Sequence, residues 1–138
     1  MAVTYLASLR TNRLNLVVNA LGTATGPTIS VTGTAAGTLV IGTSALSGAT
    51  GVLATINLST TPATVSGDTL TISGVPLSTT ASATGTAALA ELRNNAGTVI
   101  VGGLTVGTSG TNVIISSTSI TSGQTVQVTS GTITHPTT

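Results

Sequence analysis

Residues 102–135, GGLTVGTSGTNVIISSTSITSGQTVQVTSGTITH, carry the pattern that decides the fold. Apolar side chains alternate with hydroxyl and amide side chains around Val113 and Ile115, and again around Val126 and Val128. A period of two gives a strand one apolar and one polar face, as in half-buried strands. Glycines mark turns or bulges between these runs; they are Gly107, Gly110, Gly123 and Gly131. The segment predicts a mainly β fold, an antiparallel β-sandwich or barrel, with a structural or binding role.

The composition sets how the core is built. The chain has 138 residues, the size of one domain, and such a domain buries roughly 70% of the surface of its unfolded chain. Forty per cent of the residues are hydrophobic, but Tyr5 is the only aromatic one. We therefore expect a core of Val, Leu, Ile and Ala. Its stability then comes from the burial of many small aliphatic side chains and not of a few large aromatic ones.

Charged residues are unusually rare. Arg10, Arg13, Arg93, Asp68 and Glu91 make up the charged 4% of the sequence, whereas about a quarter of a typical soluble domain is charged. A nearly neutral chain lacks the charge repulsion that keeps free monomers apart. The composition therefore indicates that most of the surface is covered in an assembly.

The same inventory argues against several classes of partner. A net charge of +1 without a basic stripe, and without aromatic side chains for base stacking, argues against nucleic acid. The absence of cysteine excludes disulfides and thiolate metal sites. No apolar run is long enough for a signal peptide or a membrane span, so no membrane partner is predicted.

Residues 4–21 form the one segment with helical spacing. Thr4 is the expected N-cap, and Gly22 stands where a glycine would end the helix. Because an isolated helix of this length is marginal in water, its apolar stripe must dock, either on the chain's own sheet or as an arm on a neighbouring subunit. The arginines either cover apolar surface with their stems or pair with acidic groups of a partner chain. The predicted interface consists of Leu6, Leu9, Arg10, Arg13, Leu16 and Val17.

The remaining pattern indicates strands joined by glycine and proline turns. The chain thus divides into a helical arm, 1–22, and a β domain, 23–138, within one domain overall. In 65–74 we expect a hairpin or turn with Leu70 and Ile72 pointing inward. Residues 86–93 have high helix propensity, but the turn signals around them favour a strand, on which Glu91 and Arg93 share a face. Further strands are expected at 28–32, 38–42, 51–58 and from 98 onward.

Few side chains could carry out chemistry. His135 is the single histidine and Asp68 and Glu91 the only carboxylates, too few donors for a metal site. We expect Asp68 to hydrogen-bond the backbone of its own turn. The glycines of 102–110 lack the lysine and following helix of a phosphate loop. The sequence therefore predicts no catalytic, cofactor or metal site, and a protein that is not an enzyme.

Four segments together resemble a known family. They are LRTNRLNLVVNALG (9–22), GVLATINL (51–58), ATGTAALAELRNNAG (83–97) and GLTVGTSGTNVIISSTSITSGQTVQVTSGTITH (103–135). With them the chain resembles small virion proteins encoded among the structural genes of tailed bacteriophages. Family members often carry acidic residues in the hairpin turn where this chain has Asn94 and Asn95, which removes the basis for a charge-based contact there.

The resemblance implies a head decoration or cement protein on the capsid surface. Its partner would be the major capsid protein, and it would form a homotrimer at local three-fold positions. A tail, baseplate or neck location is the competing implication. A cell-surface adhesin or carbohydrate-binding module is a third hypothesis, against which stands the lack of aromatic rings to grip sugars.

Overall fold

The computed structural model describes residues 6–21, 37–58, 62–94 and 97–135. The expected cap at Thr4, the expected helix end at Gly22 and the strand predicted at 28–32 lie outside these residues. The elements are α1 (Ala7–Leu21), β1 (Thr38–Ser47), β2 (Thr50–Asn57), β3 (Ala63–Ser66), β4 (Thr69–Ile72), β5 (Leu77–Thr80), β6 (Gly85–Thr86), β7 (Leu89–Arg93), β8 (Val99–Gly107), β9 (Val113–Ile115), β10 (Ser119–Ile120) and β11 (Thr125–Thr134).

The strands form a mainly β fold with one N-terminal helix, as the sequence predicts. The main sheet runs in the order β2-β1-β7-β8-β9-β11-β4-β3, and β5 pairs with β11 beside this path. Strands β6 and β10 form a separate small sheet. The path ends at β2 and β3, which do not pair with each other, so the sheet is not a closed barrel.

The segment 102–135 folds as its alternation predicts. Val113, Ile115, Val126 and Val128 are all buried, and Gln127 between the two valines of β11 is exposed. Strand β11 passes close to β4 at Gly131, where an added Cβ would lie 2.5 Å from Ile72 Cδ1. A glycine at this position therefore lets the two strands approach.

One strand pair departs from the predicted antiparallel arrangement. Strands β8 and β9 pair in parallel, through Val106 with Val113 and Gly107 with Ile114. Parallel neighbours usually need a long crossover, whereas here the chain returns within a short loop. The Asn112 side chain holds that loop, since its Oδ1 accepts hydrogen bonds from Thr105 N at 3.1 Å and Thr105 Oγ1 at 3.0 Å.

The predicted strand at 86–93 is confirmed as β7, with β6 as a separate short strand before it. Strand β7 lies between β1 and β8, and its register places Leu92 opposite Leu39. Ala90, Leu92 and Leu39 are fully buried in the aliphatic core. Burial between two neighbouring strands outweighs the helix propensity of AALAELR, because propensity differences are only tenths of a kcal/mol per residue, about 0.7 at most for ordinary residues.

Glu91 and Arg93, which were expected on one face of this strand, form an ion pair. Arg93 Nη2 donates to Glu91 Oε2 at 2.7 Å, and to the backbone oxygen of Gly48 at 2.7 Å. The two side chains are only 14% and 12% exposed. Arg93 therefore ties the β1–β2 turn to β7.

Candidate functional site

The helix starts later than the sequence predicts. The backbone oxygen of Leu6 accepts hydrogen bonds from Leu9 N at 3.0 Å and from Arg10 N at 3.1 Å. Leu6 thus occupies the position before the first helical residue, and α1 begins at Ala7. Helix α1 is the element on which the predicted interface residues lie.

One face of α1 packs on the chain's own sheet. Leu14, only 3% exposed, packs in a cluster with Ala63 and Leu70 of the β3–β4 hairpin. Leu21 is buried in the main core, and Val17 packs against both clusters. We call Arg10, Leu14, Val17 and Leu21 the docked face.

The structure separates the predicted interface residues into two groups. Arg10 and Val17 belong to the docked face, whereas the other four predicted residues do not. The others remain exposed, with Leu6 at 74%, Leu9 at 42% and Leu16 at 39%. We call Leu6, Leu9, Arg13 and Leu16 the outer stripe.

The predicted interface does not include Leu14, although the spacing of Leu14 along the helix indicates a second apolar face. Leu14 lies four residues after Arg10, three before Val17 and seven before Leu21. This spacing defines a second helical face beside the outer stripe. Because both faces are apolar, the helix can dock on its own body and still present leucines to another molecule.

Polar contacts fix the start of α1 to the β3–β4 turn. Arg10 Nε donates to Asp68 Oδ1 at 2.7 Å, and Thr11 Oγ1 donates to the backbone oxygen of Gly67 at 2.7 Å. The backbone N–H of His135 donates to the Asp68 backbone oxygen at 2.7 Å. Asp68 was expected to bond its own turn, and the structure instead places its carboxylate against Arg10. Arg10 therefore forms an ion pair within its own chain.

The same contacts lower the pKa of Asp68. The hydrogen bond from Arg10 is the main cause, partial burial opposes it, and the charges of Arg10 and His135 add to the lowering. A carboxyl whose pKa is lower in the folded state stabilises the fold above its unfolded pKa, which is about 3.9 for aspartate. That contribution is lost as the pH falls through the lower, folded-state pKa.

We therefore expect Asp68→Asn to change the pH dependence of stability. The melting temperature of the variant should lie below that of the wild type near neutral pH, and the two should converge as the pH falls through the lowered, folded-state pKa of Asp68. Thermal unfolding followed by circular dichroism from about pH 6 downward measures this. Ser66→Ala, an exposed change on β3, should keep the wild-type profile. A constant difference between Asp68→Asn and wild type at every pH would contradict the assigned ion pair.

Both carboxylate side chains of the sequence take part in ion pairs within the fold. Each of the two carboxylate side chains accepts hydrogen bonds from an arginine, Asp68 from Arg10 and Glu91 from Arg93. Among the described residues, no group of three or more His, Asp or Glu side chains could hold a metal ion. Within the same residues, no helix has the length and apolar character needed to cross a membrane.

The edge of strand β8 that faces away from β7 is only partly paired. Strand β9 pairs with it only at Val106 and Gly107, so 99–105 have no strand on that side within the described part of the chain. Val99 is 43% exposed. Unpaired apolar strand edges favour association with other chains.

Comparisons with known proteins do not identify a family. No protein-family model, no curated protein and no solved structure matches the chain. The features that bear on function are therefore those of the chain itself, namely its nearly uncharged β body and the outer stripe of α1.

Proposed function

We propose that the chain is a non-enzymatic structural protein of a tailed-bacteriophage virion, a decoration or cement protein that binds the major capsid protein lattice. The outer stripe carries this proposal, because three leucines face solvent on a helix that already has a buried face of its own. Neighbouring exposed leucines on one helix face form a contiguous apolar surface, of the kind that marks interaction sites.

The charge balance supports an assembled state. The protein has five ionic side chains in 138 residues, and four of them form two internal ion pairs. Little charge is left to repel neighbouring copies. The apolar contact of one outer stripe is weak, but the overall affinity rises when many copies bind one lattice. A homotrimer at local three-fold positions is the assembly we propose.

Replacing two leucines of the outer stripe tests the docking element. We expect Leu9→Asp with Leu16→Asp to reduce the copies per virion at least about tenfold, because carboxylates replace apolar contacts. Quantitative mass spectrometry of purified virions gives the count. Thr71→Asp, an exposed change on β4, is the matched control and should be incorporated normally. Normal incorporation of the double variant would contradict docking through α1.

The number of copies of the wild-type protein per virion distinguishes the head, neck, baseplate and tail locations. On the order of hundreds of copies spread over the shell support decoration, since such a shell repeats its binding site many times. Roughly six or twelve copies at one vertex support a neck or baseplate ring. A count that grows with tail length supports the tail. If purified virions contain none of this protein, the proposal as a whole is contradicted.

A further inference from the structure

The C-terminal end of helix α1 is built into the β body. Leu21 is fully buried in the main core, and its backbone oxygen accepts a hydrogen bond from Gly37 N at 2.5 Å. Gly37 also lies against the backbone of Arg93, at the end of β7. Backbone atoms packed this closely leave little room for movement. The Leu21 end of the helix is therefore held in place by the main core.

The N-terminal half of α1 packs on a different group of residues. Leu14 is buried with Ala63 and Leu70 of the β3–β4 hairpin. We call these three residues the Leu14 cluster. Among the described residues it is separate from the main core, with Val17 in contact with both. The two halves of one helix thus depend on two different sets of buried side chains.

Polar contacts beside the Leu14 cluster join α1 to the β3–β4 turn. The side chains of Arg10 and Asp68 form an ion pair and are 15% and 26% exposed. The Thr11 hydroxyl donates to the backbone oxygen of Gly67 at the surface. We call these two contacts the latch. Water reaches both of them, and ion pairs in contact with water contribute little to stability.

We infer that α1 is a hinged helix. Its N-terminal half swings away from the β3–β4 hairpin about the Leu21 end, while the β body stays folded. Openings of this kind occur where few buried apolar contacts have to be broken. The hinged opening exposes the Leu14 cluster, whereas global unfolding exposes the main core as well. The hinged opening therefore occurs more often than global unfolding.

The closed helix covers apolar surface of the sheet. Helix α1 contacts β3 and β4 and also reaches β8. Swinging the helix away exposes Leu14 on the helix and Leu70 on the hairpin to water. Exposed apolar groups of this kind promote association with other molecules. The latch therefore controls how much apolar surface the free protein exposes.

Introduced thiols measure the opening directly, because the sequence contains no cysteine. Ala63→Cys places a thiol in the Leu14 cluster, and Val128→Cys places one in the main core on β11. Each full-length variant is reacted with excess maleimide without denaturant, and the labelling rate is measured. We expect Ala63→Cys to react at least about tenfold faster than Val128→Cys. Equal rates would overturn the inference.

A substitution in the main core distinguishes the hinged opening from global unfolding. Ile41 is fully buried on β1 and belongs to the main core. Ile41→Val should therefore raise the labelling rate of Val128→Cys by about two- to tenfold. The rate of Ala63→Cys should not change, because the hinged opening leaves the main core closed. An equal rise of both rates would mean that α1 leaves the hairpin only when the whole chain unfolds, and the inference would fail.

A substitution in the latch tests what keeps the helix closed. Asp68→Asn removes the ion pair and should raise the labelling rate of Ala63→Cys by about three- to tenfold. Ser66→Ala, an exposed change on β3, is the matched control and should leave this rate unchanged. Circular dichroism confirms that each variant keeps its fold. The same rate in Asp68→Asn and in Ser66→Ala would overturn the assignment of the latch.

Hydrogen exchange shows which element moves. Strand β4 lies between β3 and β11, so its amides stay protected if α1 swings away from a hairpin that remains in the sheet. We expect the amides of β4 to exchange as slowly as those of β1. If they open as often as the Ala63→Cys thiol does, the hairpin moves in place of the helix, and the hinged helix is excluded.

Discussion

Leu70→Ala is expected to lower the free energy of unfolding by about 2–5 kcal/mol. Leu70 is fully buried on β4, where it packs with Leu14 of α1 and Ala63 of β3. The loss combines the apolar transfer energy of the removed atoms with a cavity that the surrounding strands cannot fill completely. Because small domains are stable by only about 5–15 kcal/mol, urea unfolding should show a clearly lower midpoint.

A double-mutant cycle tests whether this loss involves the docked helix. Leu14→Ala removes the helix side of the same contact, so the two changes should couple by about 0.5–3 kcal/mol. Leu53→Ala, in the main core on β2, belongs to a different cluster and should add to Leu70→Ala within about 0.5 kcal/mol. Additive losses for Leu14 and Leu70 would show that α1 does not pack on the hairpin in solution.

The strands could be predicted because their apolar residues alternate. Leu70 and Ile72 are buried on β4 as the pattern predicts, and Thr71 between them is exposed. On β2 the alternation is less complete, since Leu53 and Ala54 are both buried where β1 and β2 change register. A bulge of this kind depends on the partner strand, which the local sequence does not specify.

The docking geometry of the helix could not be predicted, because α1 has two apolar faces. Leu9 and Leu16 are as apolar as Leu14 and Leu21, and helical spacing alone does not rank the two sets. The choice depends on tertiary contacts, namely the packing of Leu14 with Leu70 and the ion pair of Arg10 with Asp68. The six residues predicted as an interface thus lie on one helix but on two of its faces, and the prediction of an interface stays a prediction.

The parallel pairing of β8 with β9 could not be predicted from the local sequence either. Glycine-rich turns between short strands usually indicate antiparallel hairpins. Here the Asn112 side chain bonds Thr105, and the backbone oxygen of Asn112 accepts a hydrogen bond from Thr132 N at 2.8 Å. These bonds span several elements, so no local pattern shows them.

Gly37→Ala is expected to lower the free energy of unfolding by about 3 kcal/mol. Gly37 is buried between the end of α1 and the end of β7, and its N–H donates to the Leu21 backbone oxygen at 2.5 Å. An added Cβ would overlap the backbone oxygen of Arg93 and lie 2.9 Å from that of Leu21. Both obstacles are backbone atoms, so no side-chain rotation relieves the clash, and α1 or β7 must move away from β1.

Gly102→Ala is the matched control for this change. A Cβ at Gly102, an exposed position on β8, would meet only Val99 Cγ1 at 3.6 Å, an ordinary contact. Its unfolding free energy should stay within about 0.5 kcal/mol of wild type, as for most surface substitutions. Because the clash in Gly37→Ala lies at the end of α1, it should also weaken the coupling of Leu14 with Leu70. Equal stability of the two glycine variants would contradict the close packing of α1, β1 and β7. It would also contradict a fixed orientation of the outer stripe on the β body.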